Sequence, residues 1–191
     1  MKRSRALHHV RTVVDGCAAQ PRFGAFHVVA AWLHGPLLDG AEDVETVQLA
    51  LVTDLPAAEV WWRAVPAGAE HWLQATKLTG LPLDVAWRSS AGPSLAPGIE
   101  RPLLLWDTAG PREDALATLE SSAAGSLRLP VPSEGERASA LAAERATSRD
   151  ALRRTTAAYR AGRWAPGDLA RLADPLATAA AGYLELTEEP A

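Results

Sequence analysis

The sequence predicts an α+β fold in which a small mixed sheet is flanked by helices and a helical hairpin ends the chain. Short runs rich in Val, Leu and Trp occur within the first two thirds of the 191 residues. Two of them, residues 26–33 and 47–52, are apolar at consecutive positions, which is typical of strands covered on both faces. In the last third, apolar residues recur instead at helical spacing. Strands followed by helices are the element order of an α+β protein.

Composition excludes several functional classes. A hydrophobic content of 48% is enough to build a core, so we expect a folded protein. With 19 basic and 23 acidic side chains there is no overall positive field, and we expect no nucleic-acid partner. No apolar run approaches membrane-spanning length, and the residues after Met1 lack the apolar segment of a signal peptide. The single cysteine, Cys17, excludes an internal disulfide, which fits a reducing compartment. Together these observations lead us to expect a cytoplasmic protein that binds no membrane.

The first predicted element is an amphipathic helix that Ser4 can cap. Its apolar positions recur at helical spacing and end before Pro21: Leu7, Val10, Val14 and Cys17. The two apolar strands follow, separated by a Gly-Pro turn and an acidic loop. If these strands are antiparallel, His34 at the end of the first lies close to Asp43 and Glu45 at the start of the second, at one rim of the sheet.

Five further elements are predicted before the C-terminal region, of which two are short helices at residues 70–78 and 111–125. Asp54 can cap a helix that has Pro56 in its first turn and runs through the Trp-Trp pair at residues 61–62. Residues 83–87 and 101–106 predict two more strands. The proline in the second of these lies near the strand start, where a missing donor is tolerated.

The chain changes character after the LPVP segment at residues 129–132, which predicts an extended linker. Ser133 and Glu136 have the spacing of a capping box at the start of a long amphipathic helix. This helix is expected to end near Gly162.

A second helical region is predicted to begin at residues 164–166 and to be interrupted or restarted at Asp174-Pro175. Two amphipathic helices bury their apolar sides most readily against each other and against the sheet. The expected organisation is therefore an α+β domain over residues 1–128 with a helical hairpin over residues 133–188 packed on it.

The order of the elements and the residues at the rim resemble the minimal nucleotidyltransferase fold. Gly35 and Pro36 match the glycine turn of that family, Asp43 and Glu45 match its paired carboxylates, and Asp107 matches the carboxylate of a later strand. The resemblance implies that Gly35 and Pro36 bind a nucleotide. It also implies that the three carboxylates are catalytic and hold Mg²⁺, which neutralises a triphosphate and stabilises the attacking and leaving oxygens.

Three departures from this pattern predict a catalytically degenerate site. Pro36 stands where the family has Ser, which removes a hydroxyl and an amide donor from the phosphate cradle. The loop at residues 37–42 carries acidic but no basic side chains, so it repels a triphosphate. Asp43 and Glu45 share strand parity with Val47, so an unbroken strand would turn both carboxylates towards the core.

Two hypotheses therefore stand. In one, the chain has a nucleotidyltransferase-like fold without catalysis and acts as a binding or interaction domain for a protein partner or a nucleotide. In the other, it is a Mg-dependent nucleotidyltransferase that transfers a nucleoside monophosphate to a small molecule or a protein. Carboxylate geometry discriminates between them, because oxygens that converge within metal-bridging reach favour the enzyme.

Seven tryptophans are the other conspicuous feature. They can form an aromatic pocket for a base or a sugar, with His71 and Arg88 as polar anchors, or they can fill the core. The adjacent pair at residues 61–62 cannot face the same way on a helix. One of the two is therefore expected to be exposed or to cover the C-terminal helices.

The whole chain also resembles an uncharacterised family of bacterial proteins of this length. The likeness lies in the Leu-Pro pair after the second strand, in His71-Trp72 and in Trp106-Asp107. It implies one folding unit with a helical tail in a bacterial protein, and it implies no activity.

Overall fold

The computed structural model describes residues 1–92, 98–99, 101–121, 124–164, 167 and 169–188. These residues form five α-helices, five strands and two 3₁₀ turns, so the predicted α+β class is confirmed. The helices are α1 (Arg3–Ala18), α2 (Ala69–Ala75), α3 (Glu113–Glu120), α4 (Glu134–Gly162) and α5 (Leu169–Thr187). The strands are β1 (Val28–His34), β2 (Val47–Thr53), β3 (Leu83–Ser89), β4 (Leu103–Asp107) and β5 (Gly110–Pro111). None of the described helices combines the length and apolarity needed to cross a bilayer.

The sheet is mixed and has the strand order β3-β2-β1-β4-β5. β2 and β3 run parallel, whereas β1 is antiparallel to both β2 and β4, and β4 is antiparallel to β5. The predicted antiparallel pairing of the first two strands is confirmed, with His34 at the end of β1 opposite Gln48 near the start of β2. The chain returns from β2 to the parallel strand β3 through α2, as a parallel pair requires a long crossover.

One side of the sheet, which we call the first face, is apolar. Leu33, Leu49 and Leu105 from three neighbouring strands are fully buried on it. The helices that complete this core contribute Val10 and Val13 from α1, Trp72 from α2, and Leu116 and Leu119 from α3. Strand side chains alternate between faces, and in β2 this places Val47, Leu49 and Leu51 in the core.

The opposite side, which we call the second face, carries Trp32, Ala50 and Ala86 and is covered by the C-terminal helices. The covering residues are Leu141 of α4, Leu186 of α5 and Trp62 from the segment after β2. α4 and α5 also pack on each other, which confirms the predicted C-terminal helical hairpin. The division of the chain into units over residues 1–128 and 133–188 stays a prediction.

A buried ion pair fastens the hairpin to the second face. The Arg88 guanidinium of β3 donates to both carboxylate oxygens of Glu144 in α4, at 3.0 and 2.5 Å. The two side chains are only 4% and 5% exposed. Removing one partner of such a pair is strongly destabilising, because the charge of the other partner stays buried. The register of α4 on the sheet is therefore fixed by charge as well as by apolar contact.

The predicted helix through Trp61 and Trp62 is wrong. Only the 3₁₀ turn Ala57–Glu59 forms in this region, and Arg63 has a φ of 67°, which an α-helix does not accommodate. Trp62 is buried against the second face. The burial of this one large side chain outweighs the weak local helix preference on which the prediction relied.

Helix ends also differ from the prediction in part. The interruption predicted at Asp174-Pro175 is wrong, since α5 continues through Pro175; packing of its buried Ala179 and Gly182 sustains the helix despite one missing donor. Residues 165–166 of the predicted start lie outside the described residues. Ser4 does not cap α1, because the helix already begins at Arg3, whereas the capping box at Ser133 is confirmed.

Candidate ligand-binding cleft

A cleft opens on the second face, between strands β1 to β3, the segment after β2 and α5. Its volume is about 280 Å³, just below the range of roughly 300–1,000 Å³ that is usual for small-molecule sites. Its lining side chains include His34, Gln48, Trp62, Arg63, Ala64, Asp84, Ala86, Ile99 and Glu185. Most of the wall is therefore built on strands and a helix, which hold side chains more rigidly than loops do.

The floor of the cleft is a row of three polar side chains on neighbouring strands. His34 of β1 is in register with Gln48 of β2, and Gln48 is in register with Asp84 of β3. All three positions share parity with Trp32, Ala50 or Ala86 on their own strand, so they belong to the second face. Neighbouring strands lie about 4.8 Å apart, so the row spans roughly 10 Å.

His34 is buried although its side chain is polar. Only 8% of the residue is exposed, and neither ring nitrogen has a partner in hydrogen-bonding geometry. Burial lowers the pKa of His34, against smaller opposing effects of the Asp84 carboxylate and the Leu49 backbone. The imidazole is therefore neutral near neutral pH, with one nitrogen that can donate a hydrogen bond and one that can accept.

Gly35 makes room for the Gln48 side chain at the end of β1. Gly35 has a φ of +76°, and a Cβ at this position would lie 1.8 Å from Gln48 Oε1. A larger residue would thus be strained in its backbone and would displace the amide from the cleft floor. Pro36, the second residue of the turn, is exposed. The nucleotide-binding role of both residues stays a prediction.

The opposite wall of the cleft is held by an ion pair between the segment after β2 and α5. Arg63 donates to both carboxylate oxygens of Glu185, at 2.7 and 2.9 Å, and these hydrogen bonds lower the pKa of Glu185. The Nε1 atom of Trp62 is buried beside the same carboxylate without hydrogen-bonding geometry. Gly182 allows this close approach, because a Cβ there would lie 2.5 Å from the Trp62 carbonyl oxygen.

The polar anchors predicted for an aromatic pocket lie in different places. Arg88 is engaged with Glu144, and its guanidinium carbon lies 5.7 Å from the centroid of the Trp62 ring. His71 is exposed on α2, whose Trp72 packs into the first face, so it does not line the cleft. Trp62 is thus both a core residue of the second face and a wall of the cleft.

The structure does not bring the three candidate carboxylates together as a metal-binding group. Asp43 and the exposed Glu45 both lie before the start of β2. The Asp43 carboxylate pairs with Lys2 Nζ at 2.7 Å. Asp107 ends β4, and its hydrogen bond from Arg112 lowers its pKa. In the part of the chain that the structure describes, no group of three or more His, Cys, Asp or Glu side chains could hold a metal ion.

Sequence reasoning missed most of the cleft. Gln48 and Asp84 could have been found from strand parity, since each places a polar side chain on the face that Ala50 and Ala86 share with the helices. Glu185 could not have been found, because its role depends on how α5 docks, which no local pattern encodes. His34 was recognised only as part of the rim.

Comparison with known protein families assigns the chain to one of them. The family model described as "Domain of unknown function (DUF7711)" matches residues 1–191, so the chain belongs to this family. No curated protein and no solved structure matches it. The predicted resemblance to an uncharacterised family is confirmed, whereas a likeness to nucleotidyltransferases is not shown.

Proposed function

We propose that this member of a family of unknown function is a binding domain and that the cleft on the second face is its small-molecule site. The observation that carries the proposal is His34. A buried imidazole whose ring nitrogens lack partners costs about 1–3 kcal/mol of stability. Unpartnered buried polar groups are rare in folded proteins. His9 and Ser148 are others among the described residues, but His34 and Trp62 are the ones that line the cleft.

The surroundings of His34 support a binding role. The cleft brings Trp62 together with the polar side chains of the floor, and its lining is more polar than apolar, which suits a polar ligand. Its polar groups are fixed by strand register and by the two ion pairs Arg63–Glu185 and Arg88–Glu144. A site held in this way is preorganised, so a ligand would meet little ordering cost.

The nucleotidyltransferase alternative has less support. Each of Asp43 and Asp107 already faces a cation within the chain, Lys2 and Arg112 respectively. A metal would have to displace both cations before these carboxylates and Glu45 could act together. Should Mg²⁺ bind at all, Asp43 and Glu45 remain the residues to test. A bacterial cytoplasmic location stays the expectation.

The test of the proposed function is a screen of small polar fragments against the isotope-labelled full chain by two-dimensional NMR. We expect hits whose shift changes concentrate on His34, Gln48 and Asp84. Ala86→Leu, which fills the cleft, should abolish these changes, whereas Ala75→Leu at an exposed position of α2 should preserve them. A library that produces no hit at the cleft, or hits that Ala86→Leu leaves intact in a folded variant, would contradict the proposal.

A further inference from the structure

We infer that the ligand of this cleft is a small organic monocation, an amine or a guanidine attached to a flat apolar group. The inference rests on the proposed function and names the chemical class that the site selects. It is carried by the charge balance of the lining residues, by the acceptors on the cleft floor and by the apolar residues that line the cleft.

Among the described residues, the cleft lining has one carboxylate more than it has cations. Glu185 is neutralised by Arg63 through the two hydrogen bonds described above. Asp84 is exposed on β3, and among the described residues it takes part in no hydrogen bond or ion pair. His34 adds no charge, since burial holds it neutral. The net formal charge of the lining is therefore negative, which attracts a cation and repels an anion.

The cations near the cleft are already committed. Arg63 is held by Glu185, and Arg88 is held by Glu144 in a bidentate pair. To gain a counter-charge, an anionic ligand would have to share Arg63 or Arg88 with the carboxylate that already neutralises it, and that carboxylate would repel the ligand. A cation needs no such exchange, because Asp84 is available without disrupting either pair.

The cleft floor offers the hydrogen-bond acceptors that an ammonium or guanidinium group requires. These groups carry only donors, so each N–H needs an acceptor. Asp84 supplies a carboxylate and Gln48 supplies an amide oxygen, whereas both ring nitrogens of His34 are buried and would reach a ligand only if the ring turned towards the cleft. Strand register places the three in one row. The charged group of the ligand would therefore lie at Asp84, with its donors directed along the row.

Three apolar residues line the cleft beside the polar row. Trp62, Ala86 and Ile99 belong to one buried cluster and all line the cleft. The volume of about 280 Å³ admits a single ring with a short arm rather than a nucleotide.

The experiment compares three probes of one skeleton that differ in charge at neutral pH: phenethylamine, 2-phenylethanol and phenylacetate. Each is titrated into the isotope-labelled full chain, and binding is read from the amide shifts of His34, Gln48 and Asp84. We expect the amine to bind most tightly. Asp84→Asn should weaken amine binding about fivefold, the upper range for a partly exposed ion pair. The matched variant Asp15→Asn, on an exposed position of α1 away from the cleft, should leave it unchanged.

The outcomes separate this inference from the proposed function. If the alcohol or the acid perturbs the same residues with equal or greater affinity, the cleft is a binding site and the charge assignment is overturned. If Asp84→Asn leaves amine affinity unchanged while the amine still binds in the cleft, the assignment to Asp84 is overturned. If none of the three probes perturbs the cleft at millimolar concentration, while other fragments do, the ligand class is wrong and the site remains. If no fragment binds in the cleft either, both this inference and the proposed function are overturned.

Discussion

The two faces of the sheet bury side chains of opposite character. On the first face, leucines at 33, 49 and 105 are fully enclosed by helices α1 to α3. On the second face, the same strands present His34, Gln48 and Arg88 beside Trp32 and the small residues Ala50 and Ala86. The first face is thus closed by close apolar packing. The second is closed by one buried ion pair at Arg88 and is left open at the cleft.

This difference separates stability from function within one sheet. Apolar packing accounts for most residues of the first face, and the buried Thr53 hydroxyl at its edge donates to the Arg88 carbonyl oxygen. The second face carries polar groups that reduce stability unless a partner or ligand satisfies them. Variants on the two faces should therefore behave differently, and the predictions below test whether they do.

The largest effect is expected when the second face is uncovered. A chain that ends at Pro130 lacks α4 and α5, exposes Trp62 and leaves Arg88 without Glu144. It should lose at least the roughly 3–5 kcal/mol that follows from removing one partner of a buried ion pair. Thermal unfolding followed by circular dichroism measures this. Unfolding at the same temperature and with the same cooperativity as the full chain would show that the sheet does not depend on the hairpin.

A single substitution in the buried ion pair comes next. Glu144→Ala leaves the Arg88 guanidinium buried without this carboxylate, so the free energy of unfolding should fall by about 3–5 kcal/mol in urea titrations. Asp150→Ala, at an exposed position of the same helix, should change it by less than about 1 kcal/mol.

The double variant Arg88→Met/Glu144→Leu sharpens this result. Replacing both charges with apolar groups is often neutral or stabilising, so stability should return close to that of the wild type. If Glu144→Ala cost no more than Asp150→Ala, the pair would not fasten the hairpin.

The sequence predicted more of the first face than of the second. The antiparallel pair β1–β2, the apolar stripe of α1 and the capping box at Ser133 follow from local periodicity and turn chemistry. The cleft depends on contacts between residues far apart in the chain, such as Arg63 with Glu185. Local patterns do not encode such contacts, and for the same reason the insertion of Trp62 was mistaken for part of a helix.

A moderate effect is expected from pH. Because burial lowers the pKa of His34 in the folded state, the unfolded chain binds a proton first as pH falls through its own value of about 6.5. Protonation of His34 in the unfolded chain therefore lowers the free energy of unfolding below that pH and has no effect well above it. His9 shifts in the same direction, so the comparison is with His34→Leu, in which the loss of stability between neutral and acidic pH should be smaller.

NMR titration of the His34 ring tests the same point directly. Its midpoint should lie below the ordinary histidine value of about 6.5. A midpoint at or above the ordinary value would show that burial does not disfavour the charged ring of His34, which would contradict this account of the cleft floor.

The smallest effect is expected at the acidic rim. A nucleotide at a hundredfold excess over its dissociation constant would stabilise the fold by about 2.7 kcal/mol. We expect no melting shift with Mg²⁺ and a nucleoside triphosphate, since Asp43 and Asp107 are engaged with Lys2 and Arg112. A clear shift that Asp43→Ala or Glu45→Ala abolishes would favour the nucleotidyltransferase hypothesis and would place function at the rim rather than in the cleft.

The most direct test of the account is His34→Leu. This substitution replaces an imidazole that lacks hydrogen-bond partners with an apolar side chain of similar size. Stability in urea should stay equal or rise by about 1 kcal/mol, because a buried unsatisfied polar group is removed. Phenethylamine binding at the cleft should weaken at the same time. A loss of more than about 1 kcal/mol of stability with binding unchanged would show that His34 serves the fold and not the site.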